Sequence, residues 1–125
     1  MAKAAPLSKF VPRMFRWAAL YGVIVLTPLY FTPLPRFGAE VMLGFVGLAL
    51  VFQGVFWTIG ADPVRYRALM PYAVAEKLVF GLPALILFAQ GYPVPPPLAG
   101  FAGIDVLLGI GFFWAWRKCA SLPVS

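Results

Sequence analysis

QGVFWTIGADPVRYRALMPYAVAEKLVFG, residues 53–81, leaves one apolar segment, makes a short basic connection and enters another. It holds two of the four acidic residues of the chain, Asp62 and Glu76, and three of the ten basic ones, Arg65, Arg67 and Lys77. Gly60 ends the first run and Pro71 opens the second. Asp62 suits a helix N-cap, with Pro63 at the first helical position, where a missing N–H costs nothing. Residues 63–70 then read as a short interfacial helix, with Arg65 and Arg67 at the lipid head groups. Apolar span, basic turn, apolar span is the pattern of a multi-pass membrane protein.

The totals agree with that reading. Of 125 residues, 62% are hydrophobic and only 11% charged, against about 25% charged in soluble domains. So little polar surface cannot cover a water-facing globule, whereas lipid accepts an apolar exterior. The net charge of +6 does not point to nucleic acid, because the basic residues sit at segment ends. A single cysteine, Cys119, rules out an internal disulfide or a cysteine-pair metal site. The chain has no histidine. That removes the commonest zinc and haem ligand, the usual general base near neutral pH and a Ser-His-Asp triad. No phosphate-loop motif appears, since GFVGLA and GFAGID lack a strand-turn-helix setting.

Working outward, four spans are expected, at about 12–31, 40–59, 71–89 and 100–116, forming an all-α four-helix transmembrane bundle. Each is long enough to cross a bilayer at 1.5 Å per residue. Residues 1–11 are a basic tail and 119–125 a short one. Pro12 suits the first position of the first helix, Arg13 and Arg16 can snorkel to the head groups, and Thr27-Pro28 marks a kink at its far end. No small-x-small cleavage pattern follows Phe31, so this segment reads as a retained span and not as a signal peptide. Gly44, Gly47 and Gly54 in the second span either allow close approach of another helix or reflect the ordinary glycine content of membrane helices. The loops 31–39 and 91–99 are proline-rich, and the second carries no charge.

Counting Lys and Arg sets the orientation. Lys3, Lys9, Arg13, Arg16, Arg65, Arg67, Lys77, Arg117 and Lys118 fall on one side, and only Arg36 on the other. By the positive-inside rule both ends and the central connection are cytoplasmic. A weak internal repeat is also visible. Glu40-Val-Met-Leu-Gly44 matches Asp105-Val-Leu-Leu-Gly109, each opening a span after a proline loop, which suggests two related helical hairpins.

Ionisable groups inside a span need a partner or an aqueous path. Gln53 and Glu76 come to similar depth on neighbouring spans, and a hydrogen bond between them is the expected internal pair, with Arg65 and Arg67 within reach of Glu76. This cluster either locks a hairpin or forms a proton, ion or ligand site. Lys77 points about 100° away from Glu76 and is expected to snorkel. Arg36, Glu40 and Asp105 form an expected outer polar group, with Glu40 as a cap or loop fastener. No catalytic or metal residues are expected, and no cofactor. A bound lipid, quinone or pigment would have to bind without histidine ligation from this chain.

The segments YGVIVLTPLYF (21–31), GFVGLALVFQGVF (44–56), ADPVRYRALM (61–70), AEKLVFG (75–81) and IDVLLGIGFFWAW (104–116) together resemble a group of small bacterial four-span membrane proteins of uncharacterised function. These are similar in architecture to the DoxX-like proteins. The resemblance implies a four-helix fold in a bacterial inner membrane and brings no activity or catalytic residue. The expected role is a non-catalytic accessory subunit, with the bilayer and other membrane subunits or a second copy as partners. A small oligomeric transporter using Glu76 with Gln53, or Asp105, is the alternative, followed by a lipid- or quinone-linked redox protein.

Overall fold

A computed structural model describes residues 6–123, in which every regular element is helical. The expected tails therefore fall partly outside the described residues, Lys3 included. In chain order the elements are α1 (Pro6–Leu26), a 3-10 helix (Thr27–Phe31), α2 (Ala39–Ala61), a 3-10 turn (Arg67–Leu69), α3 (Met70–Ala89) and α4 (Pro96–Cys119). Four stretches of 23, 23, 23 and 24 residues, at 9–31, 39–61, 67–89 and 96–119, are long and apolar enough to cross a membrane. At 1.5 Å per residue each measures about 35 Å, against about 30 Å of hydrocarbon.

The chain divides into two helical hairpins, one ending at Pro63 and the other beginning at Val64. In the first, α1 packs on α2. The buried residues of α2 step through Val46, Ala49, Gln53, Phe56 and Gly60, with Ile59 buried beside the last, the alternating three- and four-residue spacing of a helix-packing seam. On α1 they are Val11, Phe15, Ala18, Ala19 and Gly22. Small residues let the two backbones close. A Cβ on Gly60 would stand 2.5 Å from Arg16 Cγ and 3.0 Å from the Pro12 carbonyl. The turn into α2 uses Gly38 at φ 79°, left-handed backbone that glycine adopts without strain.

The second hairpin pairs α3 with α4. Its seam runs through Met70, Ala73, Lys77 and Gly81 on α3, and Ala102, Gly109, Phe112, Ala115 and Cys119 on α4. A Cβ on Gly81 would meet Val106 Cγ2 at 2.8 Å and the Ala102 carbonyl at 2.9 Å. α3 ends in a Schellman motif: Tyr92 N–H donates to the Leu87 carbonyl at 3.0 Å and Gly91 N–H to Phe88 at 3.1 Å, with Gly91 at φ 86°.

Three boundaries differ from expectation, and proline accounts for two. α1 begins at Pro6, so Pro12 lies inside it and does not start it. α4 begins at Pro96 and takes in residues expected to be loop. Pro95, Pro96 and Pro97 occupy the N-cap and first two positions, where the absent N–H groups have no helical partner to lose. In the central connection, residues 63–66 form turns and only Arg67–Leu69 is helical. Asp62 is the C-cap of α2, and Tyr66, not Asp62, precedes the 3-10 turn, so the expected Asp62–Pro63 helix start is absent. The expected repeat also fails to align: Glu40 lies in the first turn of α2, whereas Asp105 is nine residues beyond the start of α4.

Candidate functional site

The most concentrated chemistry lies between α3 and α4. Lys77 Nζ stands 3.4 Å from Asp105 Oδ1, donating a hydrogen bond, and 3.8 Å from Glu76 Oε1. The lysine side chain is 4% exposed, and those of Glu76 and Asp105 are 16% and 19% exposed. Lys77 was expected to snorkel; instead it occupies the seam. The reason is its spacing: it lies four residues after Ala73 and four before Gly81, both buried small residues that bring α4 close. Gly109 faces the same level, where a Cβ would stand 3.3 Å from Lys77 Cβ. Lys77 is seven residues beyond the start of α3 and Asp105 nine beyond the start of α4, so they lie about 10 and 14 Å along their helices from opposite ends of the hairpin. This is a charged cluster near mid-span, where ionisable side chains are costly unless paired.

Glu76 Oε1 is enclosed and accepts no hydrogen bond, although the Lys77 ammonium is within ion-pair range. Arg67, expected to reach Glu76, is committed elsewhere: its Nη1 donates to the Cys119 carbonyl at 2.8 Å and to the Leu122 carbonyl. It thereby caps the C-terminus of α4, where free carbonyls and the helix dipole both favour a cation. Arg65 lies with its guanidinium 5.7 Å from the Tyr66 ring centroid.

Gln53 and Glu76, the expected pair, belong to different hairpins, and each has neighbours of its own. Gln53 is 2% exposed, and its Nε2 donates to the Ala49 carbonyl one turn back at 2.7 Å. Its Oε1 accepts no hydrogen bond and fills the space over Gly22, 2.0 Å from where a Cβ would be. Thus Gln53 sits in the α1–α2 contact. Nearby, the Arg16 guanidinium lies 4.2 Å over the Trp57 ring, a cation–π contact at the same end of the hairpin as Gly60. An open groove of about 380 Å³ runs between Leu20, Val23, Leu50 and Trp57, with Gln53 among its walls.

Of the expected outer group, Arg36 and Glu40 belong to the first hairpin and Asp105 to the second. Asp105 pairs with Lys77. Arg36 and Glu40 are both exposed, and among the described residues no ion pair joins them. Glu40 does lie in the first turn of α2, where a carboxylate suits the helix dipole. Among the described residues no group of three or more His, Cys, Asp or Glu side chains is placed to hold a metal ion. Compared with family models, with curated proteins and with solved structures, the chain gives no match.

Proposed function

We propose that this chain is a multi-pass protein of the bacterial inner membrane and serves as a non-catalytic subunit of a larger membrane assembly. One observation carries the reading. The buried polar side chains are turned inward on their own hairpin, while several helix glycines have nothing of their own hairpin against them. Gln53 packs on Gly22, Lys77 pairs with Asp105, and Arg67 caps α4. By contrast, Gly44 and Gly54 on α2, and Gly100 and Gly103 on α4, have no atom of their own hairpin within 4 Å of a built Cβ. In lipid, small residues at a helix surface allow another helix to approach closely, and packing drives association. The partner is another membrane subunit or a second copy of the chain.

The same proposal places both ends of the chain and the 62–69 connection on the cytoplasmic side, with that connection at the head groups. Support comes from Arg13, Arg65, Arg117 and Lys118, exposed near helix ends. The DoxX-like resemblance is consistent with this at the level of architecture. Leucine substitutions at Gly44, Gly54, Gly100 and Gly103 test the reading. Each should weaken co-purification of the partner from native membranes without lowering the thermal stability of the isolated chain. Partner retention in all four would remove the proposal.

A transporter reading is favoured by the surplus carboxylate beside Lys77. Flux through liposomes containing the wild-type chain, Glu76→Gln or Asp105→Asn separates the two. A flux lost in both variants would replace the subunit reading, and no flux would support it.

A further inference from the structure

We propose that Glu76, Lys77 and Asp105 form an intramembrane proton-exchange site that holds one proton shared by the three groups. The inference rests on the geometry of the α3–α4 hairpin and not on association with a partner.

One ammonium faces two carboxylates, at 3.4 and 3.8 Å. With all three groups ionised, one negative charge is left over near the middle of an apolar layer. Such a charge persists there only with a counter-ion or an aqueous path. The hairpin itself supplies no second cation at this depth. Arg67 is bound to the Cys119 and Leu122 carbonyls, Arg65 lies in the connection before α3, and Arg117 and Lys118 are in the last turn of α4. On α3 the charged group facing Glu76 is Lys77, and on α4 it is Asp105. Of the remaining titratable side chains of the hairpin, Tyr72 lies on α3 one turn before Glu76 and is exposed, while Tyr66, Tyr92 and Cys119 stand at its ends.

The missing positive charge is therefore a proton and not a metal ion. A metal would need several oxygen ligands, and the described residues contain no such cluster. It would also sit against the fixed ammonium of Lys77. A proton needs only one carboxyl oxygen. The enclosed Glu76 Oε1 accepts no hydrogen bond, and the one cation near it, the Lys77 ammonium at 3.8 Å, stands closer to Asp105. Taking up the proton makes the cluster neutral; releasing it to water restores the single negative charge. The site thus switches the interior of the hairpin between two charge states without breaking the Lys77–Asp105 bond.

The chain has only four acidic side chains, so infrared difference spectroscopy of the full chain in lipid nanodiscs resolves the site. The wild type should show one protonated side-chain carboxyl at neutral pH. Its C=O band should vanish in Glu76→Gln and equally in Asp105→Asn, because either leaves one carboxylate for one ammonium. Glu40→Gln and Asp62→Asn should retain the band. Lys77→Met should double it, since neither carboxyl then has a cation. Both amide substitutions preserve shape, and circular dichroism confirms the fold. Absence of a protonated carboxyl in the wild type, or a band that survives both Glu76→Gln and Asp105→Asn, would overturn the proposal.

Discussion

Lys77 Nζ lies 3.4 Å from Asp105 Oδ1 and joins α3 to α4 near the middle of their length. The two partners are not equivalent. Lys77 is the only cation of the cluster, whereas Asp105 shares it with Glu76. Breaking a buried pair by removing one member costs more when the remaining charge has no substitute. Lys77→Met should therefore destabilise the hairpin by about 3 kcal/mol. Asp105→Asn should cost only about 1 kcal/mol, because Glu76 remains beside the ammonium. Denaturant titration in detergent micelles, followed by helix content, measures both. Equal losses would show that Glu76 does not substitute.

Gly22 and Gln53 should be energetically coupled. A methyl group at position 22 would stand 2.0 Å from Gln53 Oε1. Gly22→Ala therefore displaces the glutamine and costs roughly 1–3 kcal/mol, as overpacking does. In Gly22→Ala/Gln53→Ala the clash is gone, so the double variant should be more stable than the sum of its parts. Unfolding of the four proteins of this cycle gives the coupling. Additive losses would mean that the two side chains do not meet.

The glycines fall into two groups with opposite expectations. Gly81 faces the Ala102 carbonyl at 2.9 Å, a backbone atom that cannot step aside. Gly81→Ala should destabilise by roughly 1–3 kcal/mol. Gly44, open within its own hairpin, should tolerate alanine, with a gain of up to ~1 kcal/mol in helix propensity. Thermal melts of the two variants in one detergent suffice. A destabilised Gly44→Ala would place another element over that face.

Arg67 anchors the connection to the end of α4 through the Cys119 and Leu122 carbonyls. Arg67→Gln should cost about 1–2 kcal/mol, the scale of charged groups bonded at a helix C-terminus. Its effect should be local. Amide hydrogen exchange should quicken across Ala115–Cys119 while the middle of α4 stays protected. Uniformly unchanged exchange would mean that the cap contributes nothing.

Much of the fold was legible in the sequence because the decisive signal is long and one-dimensional. Apolar runs separated by proline loops and basic turns locate four helices within a few residues. The ends were less legible because proline has two meanings. At Pro95–Pro97 it opens a helix, and at Pro12 it lies within one. The candidate site was half legible. Glu76 and Asp105 stand out as carboxylates inside apolar spans, but Lys77 reads as a head-group residue because lysine usually snorkels. The signal that places it inside is the Ala73–Lys77–Gly81 spacing, with small residues one turn on either side. Arg67 reads as a head-group cation within reach of Glu76, and nothing in the local sequence marks the α4 carbonyls as its partner, 52 and 55 residues away.

Native mass spectrometry of the untagged chain, extracted from its own membrane in mild detergent, tests the proposed role most directly. The subunit reading predicts a species heavier than one 13.7 kDa chain, carrying a second membrane polypeptide or further copies in fixed ratio. A stable lone monomer, with nothing else retained, would contradict it.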